Sequence, residues 1–157
     1  LSVLDRECID GFQNLHTLEG VKARDYRADL DAVTRTLLPQ VLKRWYESTG
    51  YTVEGEEPDT LKAMIAYIAK LVESEVKTLE GLHTQSPQEL RKVQLRFLNT
   101  HIKPLIEALM KSGAADRKTL ECLKKLVEND IEYLKEQLTK PESEQTQELL
   151  GSSNNLQ

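Results

Sequence analysis

The one spacing in this chain that could begin a metal centre is Glu80-x-x-His83, the pairing that helical bundles use in di-metal carboxylate sites. Such a site takes two of these pairs and two further inward-facing carboxylates, and a second Glu-x-x-His is absent. A half-site supplies too few ligands to compete with water, and this one falls across Gly81, where a helix should end. His16, His83 and His101 are scattered, with no Ser or Cys nucleophile signature beside them. Cys8 and Cys122 are the only cysteines. They are too few and too far apart for a disulfide framework or a zinc site, and read as small core-facing hydrophobes in a reducing cytoplasm. The residues support no catalytic step. The expectation is a protein that is not an enzyme and has no cofactor or metal, with a helical metal-binding protein or enzyme using Glu80 and His83 as the rival reading.

Binding is better supported. Trp45, Tyr46 and Tyr51 bracket a loop that leads into Glu56-Glu57-Pro58-Asp59-Thr60-Leu61. Aromatic rings with a polar tip line sites that hold peptides, although Trp45 at helical spacing is more often a core residue. Asp59 and Thr60 suit the capping of a helix, and proline fits its first turn, where an N–H would be unpaired anyway. Glu54, Glu56, Glu57 and Asp59 place negative charge beside the rings. An apolar groove with acid at one end would receive a peptide that carries a basic segment followed by an apolar helix.

The elements that must position these residues follow from periodicity. At 157 residues with 39% apolar and 30% charged residues, the chain has the length of one domain with one core. A net charge of -5 without a basic block argues against nucleic acid as partner. No apolar run approaches the ~20 residues of a membrane span, and residues 1–11 do not read as a signal peptide. Leu1, Leu4, Cys8, Phe12 and Leu15 outline a first helical face. A helix from Asp25 to about Ser48 should bury Leu30, Val33, Leu37, Val41, Leu42 and Trp45, with a kink or a break at Pro39 and an end at Gly50. The longest apolar helix should run from Pro58 to Leu79 on Leu61, Met64, Ile65, Ile68, Leu71, Val72 and Val76. Ser86-Pro87-Gln88-Glu89 is a capping box with proline at the first helical position. It opens a helix that Pro104 should bend and Ser112-Gly113 should close. Asp116 can cap a last helix on Leu120, Leu123, Val127, Ile131, Leu134 and Leu138. Strand periodicity is absent, so the fold class is all-α: a bundle of about five or more helices over residues 1–138, followed by a polar, mobile tail over 139–157.

Three segments taken together resemble the TorD/DmsD family of redox-enzyme maturation chaperones. They are Tyr46-x-x-x-Gly50-Tyr51, then Glu57-Pro58-Asp59 opening a long apolar helix, then Phe97-Leu98-x-x-His101-x-x-Pro104 roughly forty residues later. The resemblance covers about Tyr26 to Leu138. Thr60 stands where the family has histidine, Leu105 where it has tryptophan, and the family's upstream Pro-Pro-Tyr-Glu-Ser type motif is not recognisable.

The resemblance implies a cytoplasmic chaperone that binds the twin-arginine signal peptide on the catalytic subunit of a molybdopterin oxidoreductase. It would hold that subunit back from export until its cofactor is inserted. The residues it implicates in peptide binding are Trp45, Tyr46, Tyr51, Glu57, Pro58, Asp59, Thr60, Phe97 and His101. A general helix-binding adaptor is a further alternative. Bundles with long connections can exchange elements between protomers, which leaves a homodimer open.

Overall fold

Side-chain oxygens decide where four of the described helices begin. The computed structural model describes Cys8, residues 12–79 and residues 86–140. Among the described residues from Phe12 onward, a 3₁₀ segment, Phe12–Leu18, precedes six α-helices: α1 (Ala23–Tyr26), α2 (Ala32–Ser48), α3 (Leu61–Leu79), α4 (Pro87–Phe97), α5 (Lys103–Ser112) and α6 (Arg117–Thr139). A π turn, Leu98–Ile102, joins α4 to α5. Among the described residues the one β contact is an isolated bridge between Lys22 and Thr60. The architecture is the all-α bundle that the periodicity predicts. Glu80, Gly81, His83 and the tail beyond Lys140 lie outside the described residues.

Four starts show the rule. The Ser86 hydroxyl accepts from the Glu89 amide at 3.1 Å while the Glu89 carboxylate accepts from the Ser86 amide at 3.2 Å, completing the expected capping box. Asp116 accepts from the Thr119 amide at 3.2 Å and opens α6, also as expected. The other two starts correct the sequence reading. Asp31 accepts from the Thr34 amide at 2.7 Å, so α2 begins at Ala32 and not near Asp25. Thr60 accepts from the Ala63 amide at 3.1 Å, so α3 begins at Leu61 rather than Pro58. The Asp59 carbonyl is already taken by the Ala23 amide at 2.8 Å, and the Leu61 amide is spent on the Val21 carbonyl at 2.8 Å. The turn before α3 is therefore tied to the segment before α1 and cannot coil into the helix. Gly50 and Gly113 follow α2 and α5 with φ of 78° and 67°, the left-handed conformation that ends helices and costs glycine least.

The face that α2 buries is also corrected. Leu38, Leu42 and Tyr46 reach the core, four residues apart, while Val33 is 71% and Leu37 45% exposed. α2 continues through Pro39 as one helix. At Pro104 the chain adapts differently. The Lys103 amide reaches back five residues to the Leu98 carbonyl, the mark of a π turn. Proline offers no N–H to the Thr100 carbonyl, four residues earlier. The Arg27 guanidinium donates to that carbonyl at 3.3 Å instead.

The core gathers Leu61, Met64, Tyr67 and Leu71 of α3, Leu90 and Phe97 of α4, Leu105, Ile106 and Leu109 of α5, and Leu120, Val127, Ile131 and Leu134 of α6. Each fully buried aliphatic side chain contributes roughly 1.5–3 kcal/mol relative to exposure. The cysteines are not separate. Cys8 and Cys122 form a disulfide across 114 residues, with Cα atoms 5.3 Å apart. Distance along the chain hid this pairing, because burial of both thiols against one another depends only on how the N-terminal segment meets α6.

Candidate functional site

The predicted residues converge, but mostly inward. Tyr46 lies at the centre, 1% exposed, its hydroxyl donating to the Pro58 carbonyl at 2.6 Å. Its ring meets Tyr67 at 4.7 Å between centroids, Tyr51 at 5.5 Å and Phe97 at 6.2 Å. Phe97 in turn meets Tyr67 at 4.8 Å, His101 at 5.2 Å and Trp45 at 5.5 Å, and Trp45 packs edge-on against His101 at 5.4 Å. Spacings of this size are those of stabilising aromatic pairs. Burial and the neighbouring Tyr51 push the Tyr46 phenol far above its usual range, so it stays protonated and keeps its donor to Pro58. Tyr67, which the sequence reading did not single out, completes the cluster: its hydroxyl lies 2.8 Å from that of Thr49 and donates to the Trp45 carbonyl at 3.1 Å.

Asp59 is fully buried rather than lying on a rim. One of its oxygens accepts from the Arg24 amide at 3.2 Å, with the Arg24 guanidinium 3.7 Å away. Glu57 is exposed but bonded to Arg24 and, at 2.8 Å, to Lys22. The hydrogen bond from Lys22 is the main reason its carboxyl titrates lower than usual. Thr60 is buried and caps α3. Glu57 and Asp59 are thus paired with Lys22 and Arg24, residues that sequence reasoning passed over. The opening beside it, lined by Tyr46, Tyr51, Val53 and Pro58 among others, measures about 80 Å³. That is too small for a helical peptide.

His101 sits on the inner side of the π turn, 5% exposed, with Nε2 buried and unpartnered. Burial, and secondarily the Arg27 charge, pushes its pKa down to about 4, so the ring is neutral at physiological pH. Arg27 is itself held by a two-pronged bond to Asp29, both contacts at 2.9 Å.

The larger apolar opening lies on the other side of the same turn. A groove of about 430 Å³ runs between α3 and α6. Ile65 and Ile68 of α3 form one wall, and Leu123, Leu126, Val127, Asn129, Asp130 and Tyr133 of α6 form the other. Leu98 and Ile102 of the π turn line it between them. Ile65, Leu126 and Tyr133 are each more than 40% exposed, as large apolar side chains at a binding surface are. Ile65 also lines a second apolar recess of about 300 Å³, with Leu15, Leu18 and Leu61, so the apolar strip extends toward the N-terminal segment.

Sequence reasoning named Phe97 and His101 but missed their neighbours Leu98 and Ile102, which line the groove. The available signal was the width of the α3 apolar arc. Leu61, Met64, Ile65, Ile68, Leu71, Val72 and Val76 span more of the helix than one core face needs. A family model described as the nitrate reductase delta subunit matches residues 26–111, more than half of the 157-residue chain. All nine predicted site residues fall within the match, whereas the α6 wall of the groove lies beyond it.

Proposed function

This chain belongs to the nitrate reductase delta subunit family, a family of molybdoenzyme-maturation chaperones, and from that premise we propose that it binds the twin-arginine signal peptide of a molybdenum oxidoreductase subunit in the groove between α3 and α6. The groove is the observation that carries the reading. It presents exposed Ile65, Leu126 and Tyr133 along two helices, the arrangement into which an amphipathic helix lays its apolar face. The chaperone holds its client until the cofactor is in place. Non-covalent peptide capture needs no reactive group, and its role is that of a holder rather than a catalyst.

The residues marked in the sequence act in two ways under this reading. Phe97, His101, Tyr46, Trp45, Asp59 and Thr60 position the π turn and the start of α3, from which the groove is built. Tyr51, Pro58 and Glu57 lie at the surface of the neighbouring loop, where Glu57 masks the charges of Lys22 and Arg24. A basic ligand would otherwise be repelled there.

Titration of a labelled signal peptide from the client, at two salt concentrations, tests the proposal. Ile65→Asp is expected to weaken binding by tenfold or more, because it puts an unpaired charge in an apolar contact. Glu57→Ala is expected to weaken it less, through the uncovered cations, and this smaller effect should shrink as salt rises. Asp59→Ala should lower thermal stability before it lowers affinity. Affinity indifferent to Ile65→Asp in a folded protein would overturn the groove as the peptide site.

A further inference from the structure

Asp130 is the only charged residue among the ten that line the groove. It lies on α6 three residues from both Val127 and Tyr133, which puts it on their face of the helix. Among the described residues, no hydrogen bond or salt bridge reaches its carboxylate. The charged group acting on it from α3 is Glu75, of like sign, and Glu75 is already engaged by Arg91 at 3.5 Å and by Gln94 at 3.0 Å. Burial, and secondarily Glu75, raises the Asp130 carboxyl above its usual range. Beside it, the Asn129 amide nitrogen is also buried without a partner. An apolar wall thus carries a half-buried acceptor and, beside it, a buried donor that the protein itself leaves unmatched, and a buried unmatched donor costs folding free energy.

We propose that Asp130 is the counter-charge for one Lys or Arg side chain carried by the helix bound in the groove, and that this ion pair sets the register in which the helix lies. The inference rests on the groove being the peptide site and names what that site reads. Apolar walls supply affinity but tolerate sliding by a turn. A single acid among them tolerates only the registers that bring a cation to it. Asp130 lies beyond residues 26–111, which the family model matches.

The test uses the full chain and three versions of one apolar helical peptide, with arginine, glutamine or glutamate at the position facing α6. Wild type should bind the arginine version about tenfold more tightly than the glutamine version, as one good ion pair allows. Asp130→Asn should abolish that preference while retaining affinity for the glutamine version. It should also leave the melting temperature unchanged or higher, since an unpaired carboxylate is lost. Asp130→Lys should reverse the order in favour of glutamate. If Asp130→Asn keeps the arginine preference, the assignment of Asp130 falls and the groove stands. If wild type binds none of the three peptides while other apolar helices also fail, the groove reading falls and this proposal falls with it.

Discussion

The π turn has two sides, and the residues on them have opposite fates. Phe97 and His101 meet Trp45, Tyr46 and Tyr67 ring against ring inside the bundle. Leu98 and Ile102, one residue further along, line a groove of about 430 Å³ between α3 and α6. Both sides are apolar. They differ in whether the chain supplies the complementary surface. On the inner side rings of α2 and α3 pack against Phe97 and His101, so those residues act through stability. On the outer side α3 and α6 stand apart and expose Ile65 and Leu126. Apolar surface that the fold leaves uncovered is where a partner's apolar surface can gain by association.

The contrast breaks most directly at Phe97. Phe97→Ala should cost about 3–5 kcal/mol of unfolding free energy, because a fully buried ring leaves a cavity that its neighbours cannot close. Chemical denaturation gives the value. If peptide affinity, measured on the fraction still folded, falls in parallel with stability, the inner side supports the groove as one unit. A large loss of affinity with little loss of stability would instead place Phe97 at the ligand.

Why this division was only partly legible in the sequence is a matter of range. The capping box at Ser86 and Glu89, the cap at Asp116 and the glycine ends at Gly50 and Gly113 each depend on neighbours a few residues away. They read correctly. The acidic turn did not, because what neutralises Asp59 is Arg24, 35 residues earlier. Its charge looked available, but the fold had already used it. Val33 and Leu37 have the right spacing for a core face, yet α2 turns Leu38, Leu42 and Tyr46 inward, a choice made by the tertiary contacts of α2. The disulfide closes over 114 residues and has no local signature. The groove is marked in the sequence only by the breadth of the α3 apolar arc, since its other wall comes from α6, far along the chain.

A second way to sharpen the comparison uses acid. His101 is buried on the inner side and titrates at about 4, below its ordinary 6.5. The unfolded chain therefore binds a proton as pH drops through 6.5 while the folded chain does not until about 4. Stability contributed by the neutral ring is present above 6.5 and lost as pH falls toward 4. The loss by linkage is about 3 kcal/mol. His101→Phe keeps a ring against Trp45 and removes the titration. The difference in unfolding free energy between wild type and His101→Phe should thus shift toward the variant across that window and be flat below it. A difference that does not change between pH 7 and 4 would mean that His101 is already hydrated in the native state. Groove variants have no reason to alter this slope.

The smallest effect on stability is expected on the outer side, and it is the most discriminating. Leu126→Ser replaces a side chain that is 41% exposed and should lower the unfolding free energy by about 1–2 kcal/mol, less than Phe97→Ala, since a large share of its area already faces solvent. The same change should weaken peptide binding several-fold, because in the complex that area would be covered. Denaturation and peptide titration on one preparation measure both. A side chain held mainly for the fold would show the two effects in the opposite proportion, as Phe97 should. If Leu126→Ser costs as much stability as a buried leucine, α6 is braced through Leu126 and the groove is narrower in solution than its walls suggest. If it costs neither stability nor affinity, the peptide lies along Ile65 toward the recess at Leu15 and Leu18 and does not reach α6, and Asp130 could not then read a cation on it.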